Sequence, residues 1–254
     1  GLGLKACLGK RLGFSSGTVN KTSVDEIVNE ALSIARTTEE DPNFKSLPSR
    51  GKLSGQVKDA YSEETAQIKL EEIVAKTMDT VKAAEKTKNV KVPLGLLRLA
   101  DYSLHVVNSL GVNFSHKGTM VFSHFTSKAT VGDKAGEGIE KDWSTTITKL
   151  DFKKIGDSIA ERALSTLKAE PFKGEGEMTA LIVPVELEGL LYAVEFATNA
   201  EQVNKKRSPW AHKLGTMVAS EKFTVLDDGR YPGGMRSAMA DDEGVGTKKK
   251  TIID

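Results

Sequence analysis

Cysteine is almost absent from this chain, which holds only Cys7 among its 254 residues. An internal disulfide is therefore impossible, and this fits a protein of a reducing compartment such as the cytoplasm. We also find no apolar run long enough to span a bilayer and no segment that reads as a signal peptide. The sequence thus predicts a cytoplasmic protein without a membrane partner.

An excess of charge of either sign is also absent, because 36 basic residues face 35 acidic ones and the formal net charge is +1. The clearest basic runs are residues 205–207 and 248–250, and no aromatic residue is interleaved with them. Nucleic-acid-binding domains usually concentrate basic residues on one face. We therefore expect these runs to be solvated surface, and we expect no nucleic-acid partner.

What the chain does have is ordinary globular composition, with 39% hydrophobic and 28% charged residues. Apolar residues recur at helical spacing in four segments, which predicts amphipathic helices at residues 23–35, 62–86, 151–167 and 184–199. The first of these begins at Ser23, with Glu26 at the spacing of a capping box. The helices alternate with strands, so the predicted fold class is α+β, with amphipathic helices packed on mostly antiparallel sheets.

The predicted strands fall into three groups. Residues 2–8 and 11–17 form a hairpin, and several strands between residues 94 and 126 form an antiparallel sheet with a tight turn at residues 108–111. An exposed loop is predicted at residues 132–138, and later strands are predicted at residues 178–183, at 222–226 and at the end of the chain.

The organisation along the chain predicts three parts. Residues 1–50 are part of an N-terminal α/β domain, residues 51–170 are a central helix and antiparallel-sheet domain, and residues 171–254 are the start of a C-terminal domain. The chain opens and closes on strand-like residues, so we expect it to be incomplete at both ends.

Histidine and serine offer little catalytic potential. Residues 13–17 have the letters of a Gly-x-Ser-x-Gly nucleophile elbow, but five residues separate them from the next helix, whereas that motif needs a direct strand-to-helix turn. His105 and His116 could be rough cross-strand neighbours, with His124 following. No cysteine or histidine pair at zinc-like spacing completes a ligand set, so we favour histidines on a half-exposed sheet.

Carboxylates are clustered at Asp227-Asp228 and at Asp241-Asp242-Glu243. Such clusters could bind a hard cation. Each is followed by glycine, which also suits a turn whose Asp side chain accepts hydrogen bonds from the backbone. We favour the turn.

Four stretches, in this order, resemble the TldD/PmbA family of proteolytic proteins, also called modulators of DNA gyrase. They are Leu-Gly-Phe-Ser-Ser at residues 12–16, Val-Asn-Ser-Leu-Gly-Val at 107–112, the Ser-Pro to Val-Ala-Ser segment at 207–220, and the acidic elements at 223–228 and 241–247. Each stretch alone is weak, but four in order are fairly specific. The resemblance implies a PmbA/TldD-like fold.

The resemblance also separates two kinds of family member. The TldD-like kind carries His-Glu-x-x-x-His on the helix before the Ser-Pro segment, where it holds a metal and activates water. Here the three motif positions are occupied by Leu191, Tyr192 and Phe196, none of which can do so. The chain therefore resembles the TldE/PmbA kind, and no catalytic or metal-binding residue is expected in it. Candidates for contacts in a substrate channel are Glu188, Glu195, Asp241, Asp242 and Glu243.

The function implied by the resemblance is that of a non-zinc subunit in a cytoplasmic TldD-type metalloprotease complex that acts on unfolded peptides and peptide precursors. Zinc would belong to a TldD-like partner, and a homodimer is the other assembly considered. Two alternatives stay open at this point. One is an active metallopeptidase homodimer, and the other is a regulatory binding protein that modulates a DNA gyrase.

Overall fold

The structure is a computed structural model that describes residues 1–51, 53 and 55–254, and it divides into two compact units, Gly1–Ser49 and Arg50–Asp254. In the first unit, strands β1 (Leu2–Leu8) and β2 (Arg11–Gly17) form an antiparallel hairpin, and helix α1 (Val24–Thr37) packs against it. The predicted hairpin is present. A Cβ on Gly13 would lie 2.0 Å from the Ala31 carbonyl oxygen, so only glycine permits this close approach.

The capping box of α1 is confirmed. The Ser23 hydroxyl accepts a hydrogen bond from the Glu26 N–H at 3.1 Å, and the Glu26 carboxylate accepts one from the Ser23 N–H at 2.9 Å. These two bonds satisfy N–H groups that the first helical turn leaves without partners. The buried face of α1 consists of Ile27, Ala31 and Ala35.

The second unit begins with helix α2 (Glu63–Ala66) and helix α3 (Leu70–Glu85). The single helix predicted over residues 62–86 is therefore wrong, because the backbone is not helical between them. Lys69 is extended, with φ −80° and ψ 151°. The break lets Ile68 pack against the cluster that contains Val121 and Phe152, so tertiary burial overrides the helical pattern at this point.

A three-stranded antiparallel sheet lies at the centre of this unit, with strand order β3-β4-β5. Strand β3 (Val90–Val107) and strand β4 (Asn113–Val131) are continuous, although the sequence had indicated shorter successive strands. The predicted turn between them is confirmed, because the Asn108 side chain accepts hydrogen bonds from the Leu110 N–H at 2.9 Å and the Val112 N–H at 3.0 Å.

Strand β5 (Lys134–Ser144) occupies much of the segment that was predicted to be an exposed loop. Only Gly132 and Asp133 turn the chain, and that prediction is wrong from residue 134 onward. The glycines that indicated a loop have another role. A Cβ on Gly136 or on Gly138 would lie 2.2 Å or 2.1 Å from a backbone oxygen of the next helix, so both allow that helix to lie directly on the strand.

That helix, α4 (Phe152–Thr166), is capped by Asp151, whose carboxylate accepts a hydrogen bond from the Lys154 N–H at 2.9 Å. It covers one face of the sheet and packs against α3. The main core cluster joins Phe125 and Ala129 of β4 with Ile159 and Ala163 of α4. Successive side chains of β4 point to opposite faces of the sheet, and α4 buries one of these faces. This is expected for an antiparallel sheet with one covered face.

The remaining elements are short. They are helix α5 (Leu187–Thr198), helix α6 (Ala200–Asn204), and strands β6 (Val225–Asp228) and β7 (Lys249–Ile253), which pair antiparallel. The strand predicted at residues 178–183 is not formed. Leu181 is 97% exposed, and no strand among the described residues pairs with this segment to stabilise it in a ladder. Within the described residues, no helix is both long and apolar enough to cross a membrane. The predicted α+β class with antiparallel sheets is confirmed.

Candidate functional site

Helix α5 is the element on which the resemblance places the site. Pro184 opens a single 3-10 turn, Pro184–Glu186, which leads into the α-helix. Proline suits this first turn because its missing N–H would have no intrahelical partner. The Asn199 N–H donates to the Glu195 carbonyl at the end of α5, and the Asn199 side chain then caps α6.

The C-terminal end of α5 is fixed by the Ser-Pro segment. The buried Ser208 hydroxyl donates a hydrogen bond to the Ala197 carbonyl at 2.5 Å and accepts one from the Trp210 N–H at 3.0 Å. Ala197 is the one residue of α5 that is fully buried. Helix α5 and the Ser-Pro segment, which is one of the four stretches that resemble the family, are therefore joined by a direct hydrogen bond.

The three zinc-motif positions lie on the exposed part of α5. The exposed fractions are 43% for Leu191, 69% for Tyr192 and 40% for Phe196. Leu187 and Leu190 are exposed as well, at 37% and 52%. Most of the helix surface is thus apolar and accessible, whereas a surface helix usually buries its apolar face.

Metal ligands do not converge at this helix. Throughout the part of the chain that the structure describes, no group of three or more His, Cys, Asp or Glu side chains could hold a metal ion. The side chains at positions 191, 192 and 196 have no donor atom that suits zinc apart from the Tyr192 hydroxyl. Leu191, Tyr192 and Phe196 therefore do not form a set of zinc ligands.

Two carboxylates of α5 were predicted as channel contacts. Glu188 forms an ion pair with Lys141 of β5, with 3.0 Å between its Oε2 and the lysine Nζ. Glu195 is exposed, and its carboxylate forms no hydrogen bond or ion pair within the described ranges. The ion pair escaped the sequence analysis because its partners are 47 residues apart and β5 had been interpreted as a loop.

The ion pair places Glu188 at the open face of the sheet. Lys141 pairs in register with His124 of β4, and His124 pairs with Leu96 of β3. These three side chains form one cross-strand row on the face that α4 does not cover. Both His124 and Lys141 are half-buried, and Leu96 is exposed.

The acidic segment at residues 241–243 forms a turn. The Asp241 carboxylate accepts hydrogen bonds from the Glu243 N–H at 3.0 Å and the Val245 N–H at 2.8 Å. The Gly244 N–H donates to the Asp241 carbonyl at 2.9 Å, with φ +84° at Gly244, a value that favours glycine. Asp241 is thus engaged with its own backbone, while Asp242 and Glu243 are exposed.

The other acidic pair, Asp227 and Asp228, ends strand β6 and leads into a turn. The Asp228 carboxylate accepts a hydrogen bond from the Arg230 N–H at 3.0 Å. Asp227 forms an ion pair with Lys250 of the neighbouring strand at 2.7 Å. Asp241 and Asp228 thus accept hydrogen bonds from the backbone of a turn, whereas Asp227 is engaged in an ion pair between two strands.

The histidines do not form a ligand set. His105 pairs with Ser115 and His116 pairs with Leu104, so strand alternation directs the two rings to opposite faces. The His116 ring lies 5.9 Å from the Tyr102 ring, and its buried Nε2 has no hydrogen-bond partner among the residues that the structure describes. Burial lowers the pKa of His116, and burial raises the pKa of Tyr102 against the opposing effect of Arg236.

The Gly-x-Ser-x-Gly letters at residues 13–17 lie within β2, without the strand-to-helix turn of a nucleophile elbow. The Ser15 hydroxyl donates to the Glu30 carboxylate of α1, and Ser15 itself is buried. This serine therefore contributes to packing of the first unit.

Comparison with known proteins identifies the family. The model of the PmbA/TldA metallopeptidase central domain matches residues 63–167, and the model of the PmbA/TldA metallopeptidase C-terminal domain matches residues 175–254. The metalloprotease MJ0996 of Methanocaldococcus jannaschii is 24% identical over 251 residues, which cover 94% of this chain and 54% of that protein. The chain therefore spans about half the length of this relative.

Solved structures show the same fold. TldE from Thermococcus kodakarensis superposes with a TM-score of 0.81 at 26% identity, over 98% of this chain and 57% of that one. A Thermotoga maritima protein (TM0727), named as a modulator of a DNA gyrase, superposes with a TM-score of 0.83 at 21% identity, over 99% of this chain and 57% of that one. With two family models in sequence order and this shared fold, the chain belongs to the PmbA/TldD family of metallopeptidase-like proteins.

Proposed function

We propose that this chain acts as the TldE/PmbA-like subunit of a cytoplasmic metalloprotease complex whose zinc is held by a TldD-like partner. The complex would act on unfolded peptides and peptide precursors. The observation that carries the proposal is the exposed apolar surface of α5 at the positions where the TldD-like kind has His-Glu-x-x-x-His. The similarity to TldE from Thermococcus kodakarensis supports the same assignment.

The side chains on α5 suit contact with another polypeptide. Leu191, Tyr192 and Phe196 cannot activate water, but their exposed area would be removed from water in an interface. Aromatic residues are enriched in the centres of protein interfaces, where a large side chain adds contact area. In this proposal α5 contributes shape, while Glu188, Glu195 and the turn at residues 241–243 contribute polar contacts to a substrate channel.

A mixing experiment tests the proposal. The purified chain is combined with a TldD-like protein from the same genome, and the assembly is measured by size-exclusion chromatography with light scattering. We expect a stable complex that cleaves an unfolded peptide, and we expect a zinc chelator to abolish cleavage. The chain alone should show no cleavage.

A matched pair of variants tests the role of α5. Tyr192→Asp should weaken the complex by at least about tenfold, because a charge would be buried at the interface. Leu70→Asp is the control, because Leu70 is also 69% exposed but lies at the start of α3. Equal weakening of the complex by both variants, or no weakening by Tyr192→Asp, would show that α5 is not part of the interface.

The second candidate function is an active metallopeptidase, which the similarity to the metalloprotease MJ0996 favours. Glu188 and Glu195 would then be the acidic side chains available on α5. Cleavage by the purified chain alone, lost on treatment with a chelator and restored by zinc, would establish this candidate and overturn the first.

A further inference from the structure

A basic groove lies between α3 and the segment that leads into α4, away from α5. Its volume is about 600 Å³, which falls in the range of ligand-binding clefts. Five lysines line it, together with two aspartates: Lys76, Lys82, Lys86, Lys149, Lys153, Asp79 and Asp151. The groove therefore has three more positive than negative side chains, whereas the whole chain has a formal net charge of +1.

The lysines come from two walls. Lys76 and Lys82 belong to α3, and Lys86 follows directly at its end. Lys149 belongs to the 3-10 turn before α4, and Lys153 lies in the first turn of α4. Because the two walls are separate elements that pack together, the fold brings these charges together even though they are up to 77 positions apart in sequence.

These lysine charges are not neutralised within the fold. In residues 1–51, 53 and 55–254, none of the five lysines forms an ion pair. One of the two acidic groups is already engaged, because the Asp151 carboxylate caps α4 through the Lys154 N–H. Like charges gathered on one surface repel one another, and an anionic ligand would relieve that repulsion.

The side chains of the groove favour a peptide over a nucleic acid. Phe152 is the only aromatic residue in the lining, it is 6% exposed, and the Lys76 Nζ lies over its ring at 5.7 Å from the centroid. No aromatic face of the lining is thus open for base stacking, which supplies much of the affinity for single-stranded nucleic acids. The lining also lacks arginine, the residue best suited to bidentate phosphate contacts.

We propose that this groove, which we call the lysine groove, binds an acidic segment of a protein or peptide through the carboxylates of Asp and Glu side chains. This site is separate from α5 and does not depend on the proposed protease function. The lysine Nζ groups act as mobile point charges, so they recognise a density of carboxylates and not a defined sequence. The buried Leu150 and Phe152 belong to the lining as well.

The test is fluorescence anisotropy with a labelled octaglutamate peptide and the purified chain at low salt. We expect saturable binding that weakens several-fold when the salt concentration is raised from about 50 mM to about 200 mM, because exposed charges are screened. Lys82→Glu combined with Lys153→Glu should weaken binding by about tenfold or more. Both lysines are exposed and form no ion pair in the described part of the chain, so the fold should survive, as circular dichroism would verify.

The matched control is Lys213→Glu combined with Lys222→Glu, which changes the net charge equally on exposed residues outside the groove. It should leave the affinity within about twofold, a change that corresponds to less than 1 kcal/mol. Equal losses in the two double variants, or no saturable binding, would overturn the proposal. Tighter binding of an oligothymidylate than of octaglutamate would overturn it in favour of a nucleic acid, and displacement of the peptide by low millimolar inorganic phosphate would overturn it in favour of a small phosphate ligand.

Discussion

Lys141 and Glu188 join the open edge of the central sheet to the apolar helix α5 through an ion pair of 3.0 Å. Lys141 lies on β5 and Glu188 lies in the first turn of α5. The contact anchors the N-terminal end of α5, while the Ser208 hydroxyl anchors its other end through the Ala197 carbonyl. Two polar contacts thus hold a helix of which only one residue is fully buried.

The ion pair predicts a local effect on α5. Both side chains are partly exposed, so solvent screens the interaction, and a double-mutant cycle of Glu188→Gln and Lys141→Gln should give a coupling free energy below about 1 kcal/mol. Loss of the ion pair in either single variant should instead appear as faster amide hydrogen exchange in α5. Glu195→Gln is the control, because its carboxylate has no partner in the described ranges, and faster exchange in this variant would contradict the assignment.

Gly156 allows α3 and α4 to pack closely. A Cβ at this position would lie 2.4 Å from the Thr80 carbonyl oxygen and 2.7 Å from the Ala83 Cβ. Gly156→Ala should therefore lower the free energy of unfolding by about 1–3 kcal/mol, as measured by urea denaturation followed by circular dichroism.

The control for that substitution is Gly189→Ala in α5, where a Cβ would meet nothing within 4 Å. Alanine has the higher helix propensity, so this variant should lose no stability and could gain up to about 1 kcal/mol. If both variants lost stability equally, the close contact with Thr80 would not be the cause.

His116 predicts a dependence of stability on pH. Burial lowers its pKa in the folded state below the ordinary value of 6.5, so the unfolded chain takes up a proton first as the pH falls. The free energy of unfolding should therefore decrease as the pH falls below about 6.5 and level off below the folded-state pKa. His116→Gln should flatten this part of the profile, which urea titrations at several pH values would measure.

The control for His116 is His105→Gln in the same hairpin. His105 is exposed, and its Nε2 lies 2.9 Å from the Asn113 Oδ1. This variant should retain the pH dependence of the parent chain. A profile that flattens equally in both variants would show that the burial of His116 is not responsible.

In the turn at residues 241–243, the two neighbouring aspartates have different roles. Asp241→Ala removes the acceptor of two backbone N–H groups and should cost about 1 kcal/mol in the free energy of unfolding. Asp241→Asn keeps an acceptor oxygen and should cost less. Asp242→Ala, which removes an exposed carboxylate, is the matched control and should be nearly neutral in the same urea titration.

Local sequence signals predicted the features that depend on neighbouring residues. The capping box of Ser23 and Glu26, the cap at Asp151 and the turn at Asn108 all involve contacts within four positions, and all three are present. Helical spacing and Pro184 also predicted the segment of α5, which begins at Leu187 directly after the 3-10 turn that Pro184 opens.

Features that depend on distant contacts could not be predicted in this way. Gly136 and Gly138 indicated a loop, and only their contact with α4 explains why glycine occurs in a strand. Apolar residues at 178–183 indicated a strand, but a strand needs a partner, and none of the strands in the described part of the chain pairs with them. The ion pair between Lys141 and Glu188 likewise depends on a tertiary arrangement that residue spacing in the sequence cannot predict.

The turn at Asn108 has a consequence for the order in which the central unit folds. Val107 and Asn113 are the first pair beyond the turn, whereas Val90 and Ala129 close the far end of the same ladder. Contacts between residues that are close in sequence cost little chain entropy to form. This hairpin should therefore form first at the turn and extend outward before α4 docks. Because a slip of one residue would turn Phe125 and Val121 to the open face, the side chain of Asn108 sets which face later receives the helix.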